Sequence, residues 1–334
     1  MRGLKGLALA VSLFAGGAMA EEAGGLPILP RDGETFTVIV ENDVFGGTDS
    51  NYTNGLFISR LSAANDVPDW YTDLVRWTGF IPEGDRLRFG VGLGHSIFTP
   101  ADRSAINPPL DQRPYAGWLY GNVTLIAENE ASIRSIQINL GIVGPSAQGE
   151  FVQDNWHQLI NTGRPRGWDH QLKDEPGLMV IFEHRWRRVM YQRFVGLEFE
   201  VQGGGKVSLG NVATYAGADA LFRFGPRIGN DYGPPRIRPS LAGAAYFDPQ
   251  PGFNWYVFAG GEVRAVAHNI FLDGNTWRDS RSVEREALTG DLQVGLALQY
   301  ESVQIAFTGV YRFEEFETQS GPERFGALVL SYQF

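Results

Sequence analysis

Hydrophobic and polar side chains alternate with a period of two along most of the chain. Over 286–300, Leu288, Leu292, Val294, Leu296, Leu298 and Tyr300 share one face, and Thr289, Asp291, Gln293 and Gln299 share the other. Segment 302–313 sets Val303, Ile305, Phe307, Tyr311 and Phe313 against Gln304, Thr308 and Arg312. The same separation appears in 134–143 (Ile136, Ile138, Leu140 and Ile142 against Ser135, Gln137 and Asn139) and in 193–202. Successive side chains of a strand point to opposite faces, so each segment predicts a strand with one apolar and one polar surface. The pattern yields twelve strands, over 34–43, 52–63, 86–97, 114–127, 132–144, 175–188, 192–203, 207–223, 253–267, 286–300, 302–314 and 325–334.

Two all-β architectures carry such a pattern. A soluble sandwich buries its apolar faces and wets the polar ones; a membrane barrel turns the apolar face to lipid and the polar face inward. Strands of about 9 to 13 residues match a tilted membrane crossing rather than the 5 or 6 of soluble strands. Aromatic residues recur near strand ends (Trp118 and Tyr120, Trp186 and Tyr191, Trp255 and Tyr256, Tyr332), as interfacial girdles do. The last strand, 326–334, places Leu328, Leu330, Tyr332 and Phe334 on one face. It resembles the C-terminal strand by which bacterial outer-membrane barrels are recognised for assembly. The expectation is a twelve-stranded antiparallel transmembrane β-barrel with both termini on the periplasmic side. A closed barrel leaves no free edge, so a monomer is expected. Pro226, Pro234, Pro235 and Pro239 deny a central strand over 225–252, which reads as a long periplasmic connection. The stretch 65–84 holds Trp70, Tyr71, Leu74 and Trp77 and predicts a short amphipathic helix at the inner rim.

Composition narrows the chemistry. The 334 residues include no Cys, which removes disulfides, thiolate metal sites and thiol nucleophiles. A net charge of −10 without a basic stripe argues against a nucleic-acid binder. Residues 1–20 read as a secretory signal: Arg2 and Lys5, an apolar run over 7–14, and Ala18-Met19-Ala20 before the cleavage point. The mature barrel, 21–334, is then one domain in the bacterial outer membrane.

The polar clusters gather on one rim. With the first strand rising from the periplasm, Glu41-Asn42-Asp43 and Asn51-Tyr52-Thr53-Asn54-Gly55 fall at the outer end. So do Phe98-Thr99-Pro100, Arg113-Pro114-Tyr115-Ala116-Gly117-Trp118 and Gly144-Pro145. The loop 145–174 holds Gln153 and His157, four residues apart and so on one face of a helix, then Gly167-Trp168. Strict alternation separates Asn42 from Asp43 unless the rim bends or bulges there.

In this order these motifs resemble the lipid A deacylase family of outer-membrane enzymes. The resemblance implies a barrel that removes the 3′-linked acyloxyacyl chain of lipid A and needs a divalent ion, usually calcium. Position by position, it implies catalytic roles for Asn42, Thr53, Gln153 and His157, with the Asn-Asp pair falling on Asn42 and Asp43. The family's acidic residue six positions after the His is Gly163 here, and the loop after the third strand has Arg103 but no Lys.

The residues support that chemistry on their own terms. Ester hydrolysis needs an activated water and stabilisation of the tetrahedral oxyanion. Histidine, with an ordinary pKa near ~6.5, is the natural general base. Asp43 and Asn42 offer oxygen ligands suited to calcium, which would act as a Lewis acid on the scissile carbonyl. No Gly-x-Ser-x-Gly sequence supports an elbow serine. Arg103 and Arg113 suit lipid A phosphates. The expected function is calcium-dependent lipid A ester hydrolysis, with lipopolysaccharide and outer-membrane lipid as partners. The alternatives are a passive pore or structural barrel, and a barrel hydrolase with another lipid substrate.

Overall fold

The computed structural model describes residues 33–43, 51–78, 84–159, 163–237 and 246–334; the signal reading over 1–20 lies outside them. The strands are β1 (Thr35–Asn42), β2 (Asn51–Leu61), β3 (Arg86–Thr99), β4 (Ala116–Glu128), β5 (Ser132–Val143) and β6 (Glu175–Phe194). They continue with β7 (Leu197–Leu209), β8 (Ala213–Gly225), β9 (Phe253–Asn269), β10 (Leu288–Tyr300), β11 (Val303–Arg312) and β12 (Glu323–Gln333). Each pairs antiparallel with its sequence neighbours, and β1 closes on β12 from Thr35↔Gln333 to Asn42↔Gly326. Glu34 and Phe334 exchange two backbone hydrogen bonds of 3.0 Å at the end of this seam. The sheet is a closed twelve-stranded barrel.

Polarity decides the solvent. Leu292, Val294, Leu296, Leu298, Ile305 and Phe307 point outward and are exposed, whereas Asp291, Gln293, Gln299, Thr308 and Arg312 are buried in the lumen. A sandwich would reverse this. The lumenal charges pair across strands: Arg88 with Glu128 at 3.0 Å, Lys206 with Glu262 at 3.0 Å, and Arg264 and Arg312 with Asp291 at 3.0 and 2.9 Å. No described helix is long and apolar enough to cross a membrane. The predicted amphipathic helix is α1 (Asp69–Thr78). Tyr71 and Val75 join Leu87, Leu125 and Ala127 in one cluster on the outer wall, leaving Trp70, Leu74 and Trp77 exposed.

The strand boundaries differ from expectation around 188–212. The turn between β6 and β7 lies at Val195 and Gly196, both at positive φ, rather than at 189–191. Gly203, Gly204 and Gly205 look like turn residues but are strand. A Cβ on Gly204 would lie 2.8 Å from Cγ of Arg185, so the missing side chain gives a lumenal arginine its room.

The connection after β8 also departs from expectation. It leaves the sheet, as its prolines require, but does not stay below the barrel. Asp231, Tyr232, Arg236, Ile237, Tyr246 and Asp248 are all buried. Tyr232 and Tyr246 cluster with Leu61, Ile126 and Ile133 near the terminal end of the barrel. Arg236 and Ile237 reach Glu41, near the opposite end of β1. Residues 231–237 therefore climb inside the lumen. Arg223 ties its base to the wall, donating to Glu200 at 2.8 Å, to Asp231, and to the Gly229 carbonyl at 3.0 Å.

Replacing Arg223 with Met strands Glu200 and Asp231 as buried charges. Breaking one side of a buried pair costs about 3–5 kcal/mol. The R223M barrel is expected to unfold at lower urea concentration in detergent, and protease should cut within 226–252 before the strands open.

Candidate functional site

The site is built at the loop end of the barrel, where β1 ends, β2 begins, and β3 and β4 meet the long connection after β5. There the chain forms a short 3-10 turn (Pro145–Ala147) and the helix α2 (Gly149–Leu159). The helix docks where two backbones meet without side chains. A Cβ on Gly149 would lie 3.2 Å from Gly117 Cα and 2.7 Å from the Trp168 ring. The Trp168 ring packs at 4.8 Å on Tyr115, and with Ile97 these form a buried cluster against which Val152 of α2 rests. This explains the Arg113–Trp118 motif: Tyr115 and Gly117 are the seat of the helix. Burial pushes the Tyr115 phenol up to about 12, so it stays protonated, and it donates to the Arg103 carbonyl.

Seated in this way, α2 turns Gln153 and His157 inward, each only 1% exposed, while Phe151 stays at the surface. The Trp168 indole N–H donates to Gln153 Oε1 at 2.9 Å. That bond fixes the amide and leaves Gln153 Nε2 buried with no hydrogen-bond partner among the described residues. His157 Nδ1 lies 2.7 Å from the Gly163 carbonyl oxygen, so Nδ1–H donates, and in the neutral ring the lone pair is on Nε2. Position 163, expected to lack an orienting carboxylate, orients the ring through its backbone instead.

The rim bends where the two-residue alternation required it to. Asp43 leaves the extended conformation for a 3-10 turn, and Glu41, Asn42 and Asp43 are all buried. The β2–β3 register shifts between Tyr52 and Asn54, so Tyr52 and Thr53 are both buried. Thr53 Oγ1 then meets Thr99 Oγ1 at 2.7 Å. Register places Asn42 opposite Asn54, one residue from Thr53, and Phe98 packs at 5.5 Å on Tyr52. A chain of contacts thus runs from α2 through Trp168, Ile97 and the head of β3 to Thr53 and the head of β1.

Arg113 is buried, stacks 4.9 Å over Phe98 and donates to Glu315 at 3.3 Å. Arg103 is half-buried, and its carbonyl accepts from Arg166 N–H at 3.0 Å. Among the described residues no group of three or more His, Cys, Asp or Glu stands together as a metal cage. A hard cation also accepts amide and hydroxyl oxygens and water, so the buried Asp43 and Asn42 suit calcium rather than a soft metal. Thr99, the orienting indole of Trp168 and the Gly163 carbonyl were not foreseen. The carbonyl has no side-chain signal, and Thr99 is marked only by its place at a strand head.

Comparison with known proteins agrees with the architecture. The family model described as outer membrane protein LpxR matches residues 7–334. The solved structure of LpxR from Salmonella typhimurium superposes with a TM-score of 0.71 at 18% identity, covering 90% of this chain and 100% of that one. The beta domain of the Bordetella autotransporter Brka matches at 0.44 and 11% identity, over 90% of this chain and 98% of that one. An outer membrane channel from Pseudomonas putida F1 gives 0.43 and 12%, over 94% and 100%. No curated protein sequence matches the chain.

The docking of α2 is testable without an activity. A Gly149→Val side chain cannot share space with Trp168. Amide hydrogen exchange over 149–159 and 163–170 is expected to quicken at least tenfold, with the strands as protected as in the wild type.

Proposed function

The chain belongs to the LpxR family of outer membrane proteins, and on that footing we propose that it is a lipid A deacylase. The reaction is hydrolysis of the ester holding the 3′-linked acyloxyacyl chain, at the loop-end rim of the barrel. The observation that carries this reading is the pair on α2: a buried imidazole with Nδ1 anchored to the Gly163 carbonyl, and a buried amide donor, Gln153 Nε2, with no hydrogen-bond partner among the described residues.

His157 Nε2 takes a proton from water, and the oxygen attacks the ester carbonyl. Gln153 Nε2–H donates to the oxyanion, a bond for which the buried amide has been left open. When the intermediate collapses, His157 returns the proton to the departing sugar oxygen. The products are a sugar hydroxyl and a fatty acid. Trp168 keeps the Gln153 amide turned so that it donates rather than accepts. Asp43 and Asn42 would hold a calcium ion, which supplies Lewis-acid polarisation of the ester carbonyl when bound. Thr53, held by Thr99, positions a hydroxyl beside them. Arg103 at the rim suits a lipid A phosphate, whereas Arg113 is drawn to Glu315.

The placement matches the substrate. Lipid A lies in the outer leaflet, and long connections of outer-membrane barrels face outward. The described lumenal residues favour an enzyme over a pore, because Tyr232, Arg236 and Tyr246 occupy space that an open channel would need.

Purified protein in detergent, given lipid A and calcium, is expected to release fatty acid. His157→Ala should lower the rate by about 10²–10⁴, the usual worth of a general base. Gln153→Ala should lower it by about 10²–10³, the worth of one oxyanion donor. A fully active His157→Ala barrel would overturn the assignment. In a second assay, excess chelator should abolish release and added calcium restore it. Undiminished release in chelator would remove the ion from the mechanism.

A further inference from the structure

We propose that the lumenal segment between β8 and β9 positions the catalytic rim from below, with Arg236 and Glu41 as the positioning residues. The inference rests on the deacylase reading above and adds to it a part of the chain far from α2.

Glu41 lies one residue before Asn42 and two before Asp43, and it is 1% exposed. One of its oxygens, Oε1, accepts two hydrogen bonds from the lumenal segment: Arg236 Nε at 3.1 Å and Ile237 N–H at 3.1 Å. Arg236 is itself held on three sides. Its Nη1 donates to Gln293 at 3.3 Å and lies 3.9 Å from Asp291, and its guanidinium stacks 5.1 Å over Phe325. Arg312 stacks over the same ring at 5.1 Å. Phe325 in turn packs at 5.1 Å on Tyr52, the neighbour of Thr53. A Cβ on Gly55, the register partner of Glu41, would lie 2.7 Å from Ile237 Cδ1, so the segment abuts β2 as well.

This arrangement answers a physical need. Asp43 has left the ladder for a tight turn, and Thr53 sits at a register shift, so ladder hydrogen bonds do not fix the rim at these two positions. Misplacement of a catalytic group by an ångström is enough to lose about 10²-fold in rate. The lumenal segment supplies the missing restraint: it holds β1 through Glu41 and β2 through Ile237 and Phe325. Arg236 touches no substrate; it acts through β1.

The test compares four barrels in detergent with the wild type: Arg236→Ala, Glu41→Gln, the double variant of the two, and a lumenal control, Lys206→Met. Lys206 pairs with Glu262 and Asp219 elsewhere in the lumen. Glu41→Gln preserves shape and the Oε1 acceptor while removing the charge, and it serves if Arg236→Ala does not assemble. Arg236→Ala is expected to lower kcat for fatty-acid release about tenfold with KM for lipid A unchanged. Glu41→Gln should lower kcat less, and the double variant should be no worse than Arg236→Ala alone. Lys206→Met should keep wild-type kcat. Wild-type kcat in an assembled Arg236→Ala or Glu41→Gln barrel would overturn the inference, as would an equal loss in Lys206→Met or a change confined to KM. A wild-type protein that releases no fatty acid would instead sink the deacylase reading itself.

Discussion

Closure of the backbone ladder is the constraint on which everything else rests. In lipid an unpaired N–H or C=O has no water to turn to, so a sheet can cross only if its first strand pairs with its last. Here β1 and β12 pair along eight residues of β1, and Glu34 and Phe334 lock the end of the seam. Closure then sets the polarity. The outer face must be apolar, and the inner face must satisfy its own charges. The ion pairs around Asp291, Lys206 and Arg223 set opposite charges against one another across the strands.

That interior has a consequence for the site. Charged side chains and the described residues after β8 occupy the lumen, and strands can stop pairing only at the rim, where the proposed chemistry lies. The residues proposed for the site occupy the places where regular structure lapses: a turn at Asp43, a register shift at Thr53, and a helix seated on Gly117. Each lapse frees a side chain from the two-residue alternation. Each also needs a substitute restraint, found in the Thr53–Thr99 bond, the Trp168–Gln153 bond and the carbonyl of Gly163.

How much of this was legible in the sequence follows the physics of each part. Alternation over 286–313 gave β10 and β11 nearly to the residue, because one face meets lipid and the other charge. Pairing of Gln153 with His157 was readable from spacing alone, since four residues return to the same helix face. The strand ends at 188–212 were not, because Gly204, in a run of three glycines that looks like a turn, makes room for Arg185, a neighbour that only the folded sheet brings near. Pro226, Pro234 and Pro235 excluded a strand over the described 226–237 but could not say which side of the barrel wall that stretch takes. That depends on Arg223, Glu200 and Asp231, which lie far enough apart in sequence to look like ordinary lumenal charges. Backbone groups such as the Gly163 carbonyl leave no mark in a sequence at all.

The proposed reaction is removal of one acyl branch from outer-leaflet lipid A by a histidine mounted at the rim of the barrel. Mass spectrometry of lipid A from cells with and without this protein tests it most directly. A species lighter by the 3′-linked acyloxyacyl chain is expected only where the barrel is present. Identical spectra from membranes that hold the assembled, calcium-supplied barrel and from membranes that lack it would contradict the account.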